Sequence, residues 1–372
     1  IVFNCCPKLF KHLISNVFMA KVNPYEVSGN IDYEKLVKQF GVSKMTPGIL
    51  KKLGTENLLL KRGAFYAHRD LNKILKGKFA IVSGRGPSEK MHIAHLAMFK
   101  AVADLQKKHG CFVFIPFSDD EKILVKGTDY VKTQKMAIEN SKDILALGFD
   151  PKKTKIMFDL KHMNQDVYNL AINASSKITL STVKAVMGFK DSKNIGSFFY
   201  PAVQIAHILY PTFKRKIPTI MITAIDQDPF VRLARDVAER MGLKKPGALT
   251  LKFLPGLSGG AKMSSSDPKS ALYADDSDAE IERKIKRAFS GGRETLSAHK
   301  KYGGNPDIDA SFQYLKFFLE EDDNKLAEIY KSYKSGEMMS GELKSYTISK
   351  AKKFFAQHRK NRSKIKIENY LI

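Results

Sequence analysis

The stretch Phe79 to Phe99, FAIVSGRGPSEKMHIAHLAMF, constrains this chain more than any other. Its first five residues, Phe79 to Ser83, are mostly apolar and read as a buried parallel strand. The turn Gly84-Arg85-Gly86-Pro87 follows, then a helix over 91–108 with His92 and His95 near its start. A strand that ends in glycines and opens a helix makes a phosphate site. Glycine permits close backbone approach, and the N–H groups of a helix N-terminus carry partial positive charge. Residues three apart share a helix face, so both imidazoles can reach one ligand.

Other nucleotide-binding patterns fail on single residues. A dinucleotide fingerprint would need glycine where Glu89 stands, no P-loop is present, and Ile93 replaces the glutamate of H-E-x-x-H. What remains is H-x-x-H after a glycine turn, a pattern of adenylyl-transferring enzymes. Taken alone, it reads equally well as two satisfied surface histidines.

From Phe79 onward strands and helices alternate. Strands are expected at 79–83, 111–117, 218–225 and 249–254, and helices at 128–147, 164–175, 179–187 and 230–241. That rhythm predicts an α/β fold, a Rossmann-type parallel sheet covered on both faces. Ligands of such sheets bind beyond the carboxyl ends of the strands, near the topological switch point. The polar clusters after Val82, Phe117, Ile225 and Leu254 all fall at strand ends, so four distant segments converge on one crevice.

The flanks differ. Residues 19–75 read as an extension, irregular from Pro24 to Asp32, helical over 33–40 and 71–75, with Thr46 and Pro47 as an N-cap and first-turn pair. Lys61 and Arg62 beside Phe65 and Tyr66 suit either a nucleic-acid contact or a covered domain edge. After the catalytic part, 76–275, the segment 276–372 is expected to be all-helical, with helices at 278–289, 311–320, 324–332 and 341–359. Phe312, Leu315 and Leu319 have the spacing of a core-facing stripe. Between Glu342 and Glu368 stand nine Lys and Arg residues and no acid. Lys352, Lys353, Arg359 and Lys360, interleaved with aromatics, suit an RNA backbone; the alternative is a solvated tail.

Charge supports a polyanionic partner: 63 Lys and Arg against 38 acids give +25. No apolar run approaches the roughly 20 residues of a membrane span. Cys5, Cys6 and Cys111 form neither a disulfide framework nor a C-x-x-C pair, which fits a reducing, cytoplasmic setting. Met19 reads as a natural start, and the residues before it make a poor secretory signal.

The sequence AKMSSS, 261–266, adds a lysine and small hydroxyls between glycines. It suggests a mobile phosphate clamp built from Lys262, Met263 and Ser264, with Gly259 and Gly260 as hinges. Paired with GRGPSEKMHIAH upstream, it resembles the two motifs of class I aminoacyl-tRNA synthetases. AIDQDPFVRLARDVA (224–238), SDDEK (118–122), YPAVQ (200–204), SGGRET (290–295) and RGAFYAHRD (62–70) are further similar to tryptophanyl-tRNA synthetases of eukaryotic and archaeal type.

The resemblance implies a two-step ligase that uses ATP and Mg²⁺. An amino-acid carboxylate attacks the α-phosphate, and the acyl group then moves to tRNA. It implies that His92, His95 and Lys262 stabilise the transferring phosphorus. Gly84, Arg85, Gly86, Ala94, Gln227, Met263 and Ser264 would contact ATP. Glu121, Gln204 and Gln227 would hold L-tryptophan, the helical C-terminus would read tRNA, and the enzyme would be a homodimer.

Three positions depart from the pattern. Ala94 stands where the family has glycine, while Val82 and Pro116 replace a tyrosine and a glutamine that hold the indole N–H. Either another residue accepts that hydrogen bond, or the chain is a paralogue with altered or lost tryptophan specificity. A small-molecule adenylyltransferase is a third reading, against which the basic C-terminus counts.

Overall fold

The computed structural model describes residues 32–259 apart from Thr55, together with Met263, Asp267 and 269–372, and the backbone of 21–23 and 26–28. The proposed start at Met19 and the segment before it lie outside the described residues. Strands β1 (Lys21–Asn23) and β2 (Glu26–Ser28) form an antiparallel hairpin, so the segment expected to be irregular contains a strand. Seven strands make the main sheet: β3 (Ser43–Lys44), β4 (Phe65–Arg69), β5 (Ala80–Val82), β6 (Phe112–Phe117), β7 (Thr154–Phe158), β8 (Thr219–Ala224) and β9 (Gly247–Leu251). Their order is β3-β4-β9-β8-β5-β6-β7. The five from β9 to β7 are parallel, and β4 and β3 add an antiparallel edge. Strand order reverses between β5 and β8, which is where such sheets open their binding crevice.

Side-chain alternation builds the two layers. Ile81, Val113, Ile115, Ile222 and Leu249 join a core with α1 (Ile93–His109). Val82, Phe114, Met157, Met221 and Ala248 face the other way, toward α4 (Gln165–Ser175), α5 (Ile195–Arg215) and α6 (Asp228–Arg240). Between these, α2 (Asp119–Leu124) and α3 (Tyr130–Leu145) follow β6. The C-terminal helices α7 (Asp278–Lys286), α8 (Asp323–Ser335) and α9 (Ser340–Arg362) close the α1 face, sharing its core through Ile281, Tyr333 and Phe355. Among the described residues no helix is long and apolar enough to cross a membrane.

Among the elements with no counterpart in the expected pattern are β4, β7 and α5. β4 was masked by its polar residues: Phe65 is 1% exposed inside the sheet, not displayed beside Lys61 and Arg62. The covered-edge alternative is the one observed, since Arg62 bonds Asp323 and the carbonyls of Leu315 and Lys316. β7 is short, follows Lys152 and Lys153 and carries Lys155 within it. α5 carries Pro201 and Pro211 in its interior, residues that remove a backbone donor and read as breaks; its packing between the sheet and α4 outweighs them. The helix expected at 311–320 divides into Ala310–Tyr314 and a π-turn, Leu315–Leu319.

Candidate active site

The glycine turn is tight for a reason the sequence did not give. A Cβ on Gly84 would lie 3.2 Å from both the Pro116 ring and its carbonyl oxygen, and one on Gly86 would lie 3.1 Å from Glu121 Oε2. Neither glycine needs positive φ. Gly84 is crowded by the backbone of β6, and Gly86 by the Glu121 side chain of α2. Arg85 N–H donates to Pro116 O at 2.9 Å, and Ser118 N–H donates to Arg85 O at 3.0 Å, extending the β5–β6 pairing through the turn.

The Arg85 guanidinium turns back over α1. Its Nη1 donates to His95 Nε2 at 3.0 Å and Nη2 donates to Ser88 Oγ. Removal from water pushes this guanidinium down to about 10, against the opposing pull of Glu121. His92 is the N-cap of α1 and not part of it, and its ring stacks on that of His95 at 3.5 Å. Because His95 Nε2 accepts from a cation, the imidazole is neutral there. Ala94 lies half-buried between the two histidines.

Lys262 and Ser264 lie outside the described residues; Met263, between them, is described. Met263 is 3% exposed, with its sulfur 3.8 Å from Tyr314 Oη. Leu257 N–H donates to Ser270 O at 2.8 Å and closes the loop base. Just beyond it, Ile93 N–H donates to Leu272 O and Ala274 N–H to Met91 O, each at 2.9 Å, bridging His92 to Tyr273. Residues 272–274, which follow the serine loop, are thus stitched to the histidine segment.

On the opposite flank Glu121, from the first turn of α2, faces Gly86. Gln204 on α5 is 8% exposed, and its Oε1 lies 3.1 Å from Tyr200 Oη, 3.3 Å from His207 Nδ1 and 3.5 Å from Ser118 Oγ. Gln227 ends the turn Ile225–Gln227 after β8, half-buried. Its neighbour Asp228 is clamped by Arg69 through two hydrogen bonds of 2.8 Å. Val82 and Pro116 alternate with Ile81, Ile115 and Phe117 and therefore project to the α5 side, the side of Gln204.

The sequence reading missed a buried cluster there. Oxygens of Asp119, Asp120 and Asp159 lie within 4.8 Å of one another, and His207 Nε2 is 3.0 Å from Asp159 Oδ1. Burial raises the Asp120 and Asp159 carboxyls well above the usual range and pushes His207 down to about 4. Asp119 is already engaged, accepting from Leu160 N–H at 3.0 Å and from Gln134 Nε2 at 2.5 Å. The signal was the i, i+3 spacing of Gln204 and His207, legible only once 195–215 is known to be one helix.

The basic tail is partly internal. Lys352 pairs with Glu282 at 2.7 Å, and Arg359 pairs with Asp278 at 2.8 Å while donating to Asp276 O at 3.1 Å, so both tie α9 to α7. Lys353 and Lys360 are exposed. Lys353 lines a cavity of about 940 Å³ between α1 and α9, with Lys107, Lys108 and Phe354.

A doubly wound sheet with a glycine turn and an imidazole pair at its switch point belongs to the class I aminoacyl-tRNA synthetases. More narrowly, the chain is a member of the family described as tRNA synthetases class I (W and Y), which matches residues 74–356. It is 42% identical over 358 residues to the tryptophan–tRNA ligase of Saccharolobus solfataricus, covering 93% of each chain. Among solved structures it is similar to the tryptophanyl-tRNA synthetase of Encephalitozoon cuniculi bound to tryptophan, with TM-score 0.83, 34% identity, and coverage of 92% of this chain and 98% of that one. The Plasmodium falciparum tryptophanyl-tRNA synthetase gives TM-score 0.83 at 36% identity, over 91% and 94% of the two chains.

Proposed function

We propose that this chain is a tryptophan–tRNA ligase that activates L-tryptophan with ATP and transfers it to the corresponding tRNA. The observation that carries the reading is collinear similarity: relatives bearing that name match 93% of the chain at 42% identity. A paralogue that only binds tRNA finds no support in those relatives, and neither does a small-molecule adenylyltransferase.

Transfer of this kind asks the protein for positioning and charge more than for covalent chemistry. Arg85, His92 and His95 would face the phosphates, with Lys262 and Ser264 arriving from the serine loop. Gly84 and Gly86 would let the turn approach the nucleotide, next to Ala94, with Met263 as the buried anchor of the loop. Glu121, Gln204 and Gln227 would hold the amino-acid ammonium end, and Val82 and Pro116 would wall its side chain. Arg85, the two imidazoles and Lys262 on the phosphate flank offer no carboxylate, so Mg²⁺ would reach the site on phosphate oxygens and water and not on a protein cage. When bound, it would neutralise phosphate charge. Lys353 and Lys360 on the exposed side of α9 would meet the tRNA backbone. We further propose that the catalytic part spans 76–275 between the 19–75 extension and the 276–372 helical part, in a cytoplasmic homodimer.

Pyrophosphate exchange run with each of the twenty amino acids tests the reading. Exchange dependent on tryptophan is the expected result. Exchange with a different amino acid, or with none, overturns it.

A further inference from the structure

The proposed pocket leaves one demand unmet. Val82 and Pro116 carry no side-chain acceptor, yet an indole places a single N–H on an otherwise apolar ring. A buried N–H without a partner forfeits affinity and most of the discrimination a hydrogen-bonding site provides.

The α5 side of the sheet holds an acceptor that the activity described so far does not use. His207 lies one turn beyond Gln204 on the same helix and is fully buried, its ring centre 6.4 Å from that of Phe114. Phe114 pairs directly with Val82 in the sheet and lies two residues before Pro116, so the imidazole stands on the same face of the sheet as those two residues. Its Nδ1 lies 3.3 Å from Gln204 Oε1. An amide oxygen only accepts, so the proton sits on Nδ1 and the lone pair on Nε2. Nε2 is 3.0 Å from Asp159 Oδ1 without hydrogen-bond geometry between them, and it has no other hydrogen-bond partner among the described residues. Burial keeps the ring uncharged near neutral pH. Neither atom has a hydrogen-bond partner among the described residues, an arrangement that costs free energy in a dry site until one arrives.

We infer that His207 Nε2, seconded by Asp159 Oδ1, accepts the indole N–H and is the residue that makes this pocket select tryptophan. The inference rests on the tryptophan reading above and adds the residue that determines specificity. Three residues of helix rise about 4.5 Å, so Gln204 and His207 hold the two ends of one substrate on a single rigid element.

The test uses pyrophosphate exchange with the full chain and two substrates. One is tryptophan and the other is β-(benzothiophen-3-yl)alanine, in which sulfur replaces N–H at nearly the same shape. The unaltered enzyme is expected to prefer tryptophan by at least 10-fold in kcat/KM. His207→Phe should raise KM for tryptophan 10- to 100-fold, leave KM for ATP within about twofold, and collapse the preference between the two substrates toward unity. His207→Gln, which keeps a side-chain acceptor, should restore part of the preference and guards against a fold defect in the phenylalanine variant. A residue that only packs would alter both substrates alike. An undiminished preference in both variants overturns the inference. Absence of tryptophan-dependent exchange in the unaltered enzyme would instead overturn the reading on which it rests.

Discussion

Replacing Arg69 by methionine isolates what the N-terminal extension does for the crevice. Arg69 on β4 donates Nε–H to Asp228 Oδ1 and Nη2–H to Asp228 Oδ2, both at 2.8 Å, and reaches Gly41 O at 3.1 Å and Phe40 O. The Asp228 side chain is 2% exposed and that of Arg69 12%, so solvent screens this pair little. Methionine keeps the apolar stem and deletes the donors, leaving a buried carboxylate with Arg232 at 3.2 Å as its remaining charged partner. Breaking a buried ion pair from one side costs about 3–5 kcal/mol, and the residual Arg232 contact puts the expectation near the lower figure. Urea unfolding measures it. The double variant Arg69→Met with Asp228→Asn should recover at least about 1 kcal/mol of that loss, because the two residues are directly coupled. Since Asp228 follows Gln227, KM for tryptophan in pyrophosphate exchange should rise in the single variant. A loss below about 1 kcal/mol, or strictly additive effects in the cycle, would refute the claim that this pair fastens β4 to the turn that carries Gln227.

Other expectations follow from the same geometry. Gly84→Ala, which drives a Cβ to 3.2 Å from the β6 backbone, should cost about 1–3 kcal/mol and slow exchange, whereas Gly77→Ala, with nothing within 4 Å, should do neither; equal effects would remove packing as the reason for the glycine. Lys262→Ala should sharply slow adenylate formation while leaving tryptophan binding nearly intact, as read by single-turnover kinetics and calorimetry. Charge reversal at Lys353 and Lys360 should weaken tRNA binding and flatten its salt dependence, while reversal at Lys352 and Arg359 should lower the thermal midpoint by breaking their ties to Glu282 and Asp278. Burial pushes the Cys111 thiol up to about 12, so it stays protonated and should resist iodoacetamide at pH 8 until urea exposes it, with mass spectrometry as the readout.

What the sequence determined by itself was whatever short-range chemistry specifies. Apolar runs of strand length, glycines at the turn after Val82, the histidine pair and the serine loop are local patterns, and they set the parallel sheet and the crevice at its switch point. The tertiary structure decided what depends on residues far apart in the chain. β4 is a strand because β9 and β3 flank it, and α5 remains one helix across two prolines because the sheet and α4 bury it on both sides. Lys352 and Arg359 are internal ties because α7 brings Glu282 and Asp278 to them. Only the fold sets His207 beside Phe114 and Asp159, because strand pairing and helix packing are summed over many weak contacts that no local window contains.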